Sequence, residues 1–202
     1  GLNPDPNDND VPDEEVPTPT PFDEAPVIGL SKDLTNVVNN MDGTYDVEFL
    51  LTVENFGDVP LNNVSITDDI LGQFAALSPT GFAATDGSLN ANAVWDGMSA
   101  TNILAAGQSL AVGASGTVSI SFTVTPGTVT NVDNTALATG TSPAGNDVTD
   151  TSTDGLNPDP DDDDTPDEEV PTPTPFDEAP VIGLSKDMRD VVNNIDGTYD
   201  VT

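Results

Sequence analysis

The chain has 202 residues, a formal net charge of −33 and three basic side chains, Lys32, Lys186 and Arg189. With no basic footprint, it is not built to track a nucleic-acid backbone or to bind an anionic bilayer, and no apolar run in it is long enough to insert into one. It contains neither cysteine nor histidine, which removes disulfides, zinc–thiolate sites, thiol catalysis and the commonest general base together, so we expect no enzyme.

Residues 1–26 form an acidic, proline-rich linker, and the segment Gly1–Val47 returns almost unchanged as Gly155–Val201. Only seven positions differ across that offset of 154 residues: Asn7/Asp161, Asn9/Asp163, Val11/Thr165, Leu34/Met188, Thr35/Arg189, Asn36/Asp190 and Met41/Ile195. A repeat of this length is one domain with its linker, so the chain reads as a slice of a longer tandem array. The expected units are linker 1–26, domain 27–154, linker 155–180 and the start of the next domain at 181–202.

In the first linker, Asp5, Asn7, Asn9 and Asp13 fall at alternating positions followed by a further acid. Calcium takes six to eight oxygens, and loops supply them at alternating positions, where every second side chain can turn to one centre. Behind this set, Pro17-Thr-Pro-Thr-Pro21 favours polyproline II, a semi-rigid extended spacer.

The domain reads as antiparallel β. Tyr45, Val47, Phe49, Leu51 and Val53 alternate with more polar neighbours, as do Val118, Ile120, Phe122 and Val124, which is the period of half-buried strands. Shorter candidates are 27–34, 62–69, 91–96, 109–113, 129–140 and 146–152, separated by turn signals such as Asp42-Gly43, Asp86-Gly87 and Pro126-Gly127. Seven or eight short strands predict an all-β, immunoglobulin-like Greek-key β-sandwich, with Trp95, the single tryptophan, plugging its core.

Lys32 is the only cation in the full repeat, and alternation puts it on one face with Ile28 and Leu30. Asp68 shares a face with Val64 and Ile66, and Asn134 with Val132, Ala136 and Ala138. Three readings stay open for Lys32: a covalent partner of Asn134, a buried ion pair with Asp68 beside a hydrogen-bonding Asn134, or a side chain reaching the surface. Asn63-Val-Ser65 is a glycosylation sequon in a secreted context.

The second linker repeats the acidic pattern with Asp159, Asp161, Asp163 and Asp167, with Asp154 just ahead of it. Crowding these carboxylates costs on the order of 1 kcal/mol per close pair even in water, which a cation relieves. We expect calcium, with different charge at the two linkers because Asn7 and Asn9 become aspartates. The spacing resembles the calcium loops of thrombospondin type-3 repeats, except that Asp10 or Asp164 stands where those loops place glycine.

Several motifs carry a wider likeness: Lys32, Asn55-x-Gly57, Leu61-Asn-Asn-Val-Ser-Ile-Thr-Asp68, Ile103-Leu-Ala-Ala-Gly-Gln-Ser109 and Asn134-Thr-Ala136. Together they resemble the Ig-like repeat of bacterial and archaeal surface proteins known as domain of unknown function number eleven. That resemblance implies an extracellular, cell-surface array. Lys32, Asp68 and Asn134 are also similar to the isopeptide triad of pilin and adhesin Ig-like domains, in which a lysine attacks the Asn carboxamide and the acid assists ammonia loss. The expected function is a structural repeat of an extracellular fibre, stalk or giant adhesin, stiffened by calcium. Its partners are neighbouring repeats and lateral fibres. The alternative is an adhesive module whose domain itself binds glycans or another cell surface.

Overall fold

The computed structural model describes residues 19–98, 102–178 and 180–202. The strands are β1 (Ile28–Asn39), β2 (Tyr45–Asn55), β3 (Leu61–Thr67), β4 (Thr80–Asp86), β5 (Gln108–Leu110), β6 (Ser115–Val124), β7 (Asn131–Asn134), β8 (Leu137–Thr141), β9 (Asp147–Thr151), β10 (Thr153–Asp154), β11 (Thr172–Pro175), β12 (Val191–Asn193) and β13 (Tyr199–Val201). The described helix is one turn, α1 (Ile70–Gln73), followed by a 3-10 turn at Ala75–Leu77. A five-stranded sheet runs β10-β1-β2-β6-β4 and a four-stranded sheet runs β5-β3-β8-β9; β11 pairs with β7, and β12 with β13. The pairs are antiparallel except for β1 with β10.

Strand alternation builds the centre. In β2, Tyr45, Val47, Phe49, Leu51 and Val53 are buried while Asp46 and Glu48 face outward. Opposite them in register stand Val124, Phe122, Ile120, Val118 and Gly116 of β6. These side chains join Val64, Ile66 and Ala138 of the other sheet in one buried cluster. Aromatic rings run through it: Phe122 stacks on Phe49 and meets Phe74 edge-on, while Phe82 meets Trp95 edge-on at 5.8 Å. Trp95 is buried.

β1 departs from simple alternation, since Ile28 through Lys32 are all buried. Its pairing with β2 on one edge and β10 on the other makes it interior, and its own face is then covered by the chain that follows β10. A Cβ on Gly29 would lie 2.7 Å from the Phe56 ring, 2.9 Å from Pro166 and 3.1 Å from Pro158. The acidic segment therefore packs directly on β1, and glycine is what lets it approach.

Three local expectations change. Residues 91–96 form no strand: Ala91 makes an isolated bridge to Leu104, and Trp95 N–H closes a turn on Asn92 O. Ahead of them lies β4, paired with β6 and hidden in the sequence because Phe82 is its only large apolar residue. The run 129–140 breaks into β7 and β8. Pro171–Pro175, the repeat of the Pro17–Pro21 segment that favours polyproline II, contains β11, with Thr172 and Thr174 buried and Pro173 and Pro175 exposed. Proline tolerates this place because a sheet edge leaves every second N–H without a ladder partner.

Candidate buried Lys–Asp–Asn centre and acidic metal cluster

Lys32, Asp68 and Asn134 come together inside the body. Lys32 sits in the buried half of β1, Asp68 directly follows β3, and Asn134 ends β7. Lys32 is 0 % exposed, which overturns the reading that takes its ammonium to the surface. Lys32 Nζ contacts both Asp68 Oδ2 and Asn134 Oδ1. Asn134 Nδ2 donates to Asp68 Oδ1 at 3.0 Å. One carboxylate thus bridges the amine and the carboxamide nitrogen.

The surroundings hold each member in place. Lys32 Nζ lies 4.0 Å from the centroid of the Phe49 ring. Leu51 is the register partner of Lys32, so Phe49, two residues away on the same face, is its diagonal neighbour. Gln73 of α1 donates to Thr135 O at 2.9 Å, accepts from Thr135 N–H at 2.8 Å, and reaches Asp68 Oδ1 at 3.4 Å. That brace ties the acid to the end of β7. The Lys32 carbonyl accepts from Thr172 Oγ1 at 2.8 Å and from Gly155 N–H at 3.0 Å, so β11 and the chain after β10 close over the centre.

Burial pushes the Lys32 pKa down, because a bare ammonium is poorly solvated there, while the charge and hydrogen bond of Asp68 pull the other way. That direction makes the neutral amine, the form that can act as a nucleophile, easier to reach than in an exposed lysine.

The second cluster lies in the acidic segment. Carboxylate oxygens of Asp159, Asp161 and Glu168 all lie within 4.8 Å of one another, and this triad can hold a metal ion. Two observations fit it for a cation. Asp159 is buried, yet its Oδ1 has no hydrogen-bond partner, and neither does Glu168 Oε2. Desolvation and then the charges of neighbouring acids raise the pKa of both Asp161 and Glu168. A bound cation would relieve both the orphaned oxygens and the crowding.

The loop geometry follows from the sequence. Asp164 adopts φ +64°, the left-handed conformation that favours glycine, and its N–H donates to Asp159 Oδ2 at 2.8 Å. Of the acids read as ligands, Asp159 and Asp161 join the cluster. Asp163 instead caps its own turn through Thr165 N–H at 2.8 Å, and Asp154 and Asp167 stand outside the triad. Glu168, one residue beyond Asp167, supplies the third carboxylate, and its even-numbered position falls outside the alternating set Asp159, Asp161 and Asp163. Asp5, Asn7, Asn9 and Asp13 lie outside the described residues.

No protein-family model matches the chain, and no curated protein does. Among solved structures, the N-terminal domain of PorA is similar over 63% of this chain and 95% of that one, at 14% identity. The TM-score of that match is 0.32.

Proposed function

We propose that this chain is a load-bearing repeat of an extracellular fibre or stalk, an Ig-like sandwich closed by a covalent Lys32–Asn134 cross-link and steadied by calcium at Asp159, Asp161 and Glu168. One observation carries the reading. A lysine in a chain almost without cations is fully buried, with its amine on an Asn carboxamide and a carboxylate bridging the two nitrogens.

The chemistry is an amide exchange. The neutral Lys32 Nζ attacks Cγ of Asn134, forming a C–N bond; the Cγ–Nδ2 bond breaks, and Nδ2 leaves as ammonia. Asp68 takes the proton that the amine sheds and delivers it to Nδ2, since its two oxygens face the two nitrogens. No oxidant and no external nucleophile is needed. Exclusion of water protects the amine from being trapped as solvated ammonium.

The mechanical consequence follows from sequence separation. Lys32 and Asn134 lie 102 residues apart in the chain, so a bond between them takes tension past most of the body. Calcium suits the acidic cluster because it takes hard oxygen ligands in flexible geometry and can complete its shell with water.

Pulling the 202-residue chain by its ends in a force spectrometer tests the function. The native protein should never release the segment between residues 32 and 134. Asp68→Ala should release it as a step of roughly 350 Å, at about 3.4 Å per extended residue. The same long step in the native protein would overturn the load-bearing reading.

A further inference from the structure

The hexapeptide Phe-Asp-Glu-Ala-Pro-Val occurs twice, at 22–27 and 176–181, and the structure shows its two halves held in different ways. At its second occurrence the first half is bound to the body before it. Phe176 is 2 % exposed and meets Tyr45 edge-on at 5.5 Å; its N–H donates to Thr130 O at 2.9 Å, and Tyr45 Oη donates to the Asp177 carbonyl at 2.8 Å. At its first occurrence Phe22 is 88 % exposed.

There the second half is bound to the body after it. Glu24 Oε2 accepts from Ser142 Oγ at 2.5 Å and from Ala144 N–H at 3.1 Å. Ala25 N–H donates to Asp58 Oδ1 at 2.8 Å, Ala25 O accepts from Asp58 N–H at 3.2 Å, and Val27 O accepts from Phe56 N–H at 3.1 Å. The approach is close: a Cβ on Gly57 would lie 2.6 Å from Val27 N and 2.7 Å from Ala25 O.

We infer that consecutive repeats join end to end with no free linker residue, one body gripping the hexapeptide through Asp177 and the next gripping it from Glu178. The partner of each body's exit face is therefore the entry face of the next repeat in the same chain. The two grips sit at opposite ends of a body. Tyr45 begins β2, while Asn55, beside Phe56 and Asp58, ends it. Eleven strand residues separate the ends by roughly 35 Å. The acidic proline-rich segment is not a tether between bodies in this arrangement. It turns back along its own body through the Pro158 and Pro166 contacts on Gly29 and returns as β11 to the exit end. The peptide bond between Asp177 and Glu178 is the handover point, and the array is a stiff rod. None of this depends on whether Lys32 is joined to Asn134.

Two measurements test it. In the 202-residue chain the Ala25 and Phe176 amides should both exchange at least about 100-fold more slowly than free peptide, as bonded amides in stable elements do. Free exchange at either position would remove one grip and overturn the inference. In a two-repeat protein, residues 1–201 followed by 48–178, spin labels go on Thr128→Cys of the first body and Asn62→Cys of the second; a chain without cysteine takes them cleanly. Electron spin resonance should give one narrow distance distribution, widened about twofold or more when four Gly/Ser residues separate Asp177 from Glu178. A broad distribution without the insertion, or no widening with it, would overturn the rod.

Discussion

Phe176 and Phe22 are the same residue of the same repeat in opposite surroundings, so paired truncations weigh β11 against an internal control. Phe176 is 2 % exposed and Phe22 88 %. Truncating a fully buried phenylalanine to alanine costs about 3–5 kcal/mol, from lost transfer energy and the cavity left behind. β11 is an edge segment, and lifting off caps the loss, so Phe176→Ala belongs near 3 kcal/mol. Phe22→Ala should stay within about 0.5 kcal/mol, as exposed substitutions do. Urea unfolding followed by Trp95 fluorescence reads both. With m of about 1–3 kcal/mol/M, the Phe176→Ala midpoint should fall by about 1–3 M and that of Phe22→Ala should not move. Equal effects at the two positions would refute the assignment of this segment to the body that precedes it.

In a protein kept from cross-linking by Asn134→Ala, Lys32→Ala should cost about 3–5 kcal/mol by leaving Asp68 buried and unpaired, whereas Lys32→Met with Asp68→Leu should cost far less in the same unfolding assay. Calcium titration by calorimetry should give binding that Glu168→Gln and Asp159→Asn abolish and Asp167→Asn retains; Gly29→Ala should weaken it by pushing Pro158 and Pro166 off β1. Acid should release the ion starting at higher pH than for ordinary carboxylates, because the Asp161 and Glu168 pKa values are raised and protons compete sooner. Burial, and then the nearby Glu169 and Glu168, push Asp150 up to about 7, against the opposing hydrogen bond from Leu30 N–H. A raised folded-state carboxyl favours folding while protonated, so that stability is present below about pH 4 and fades as pH rises through about 7. Asp150→Asn keeps an acceptor for Leu30 and should raise the metal-free unfolding midpoint at pH 8 while leaving it little changed at pH 4.

Much of the centre was legible because period-two alternation fixes faces. Lys32, Asp68 and Asn134 each share a face with apolar neighbours, and a buried lysine requires a partner. Phe49 was visible as a core residue, but its place beside Lys32 needed the β1–β2 register, which shifts at the bulge between Leu34 and Asn36. The Gln73 brace had no signal, since a one-turn helix shows no periodicity. The acidic segment was the least legible part. Its composition says solvated spacer, and nothing in Pro-Thr-Pro-Thr-Pro-Phe announces a strand until Thr172, Thr174 and Phe176 are seen buried against the body. Glu168 escaped for the same reason, because a folded loop, not linear spacing, brings it to Asp159 and Asp161.

The cross-link itself has a direct readout in the intact mass of the 202-residue chain. Loss of one ammonia should place the native protein roughly 17 Da below its sequence mass, with the deficit absent from Lys32→Ala, Asp68→Ala and Asn134→Ala alike. Fragmentation should then join a peptide containing Lys32 to one containing Asn134. A native mass equal to the sequence mass would contradict the covalent reading and leave the centre as a buried ion pair with a hydrogen-bonded asparagine.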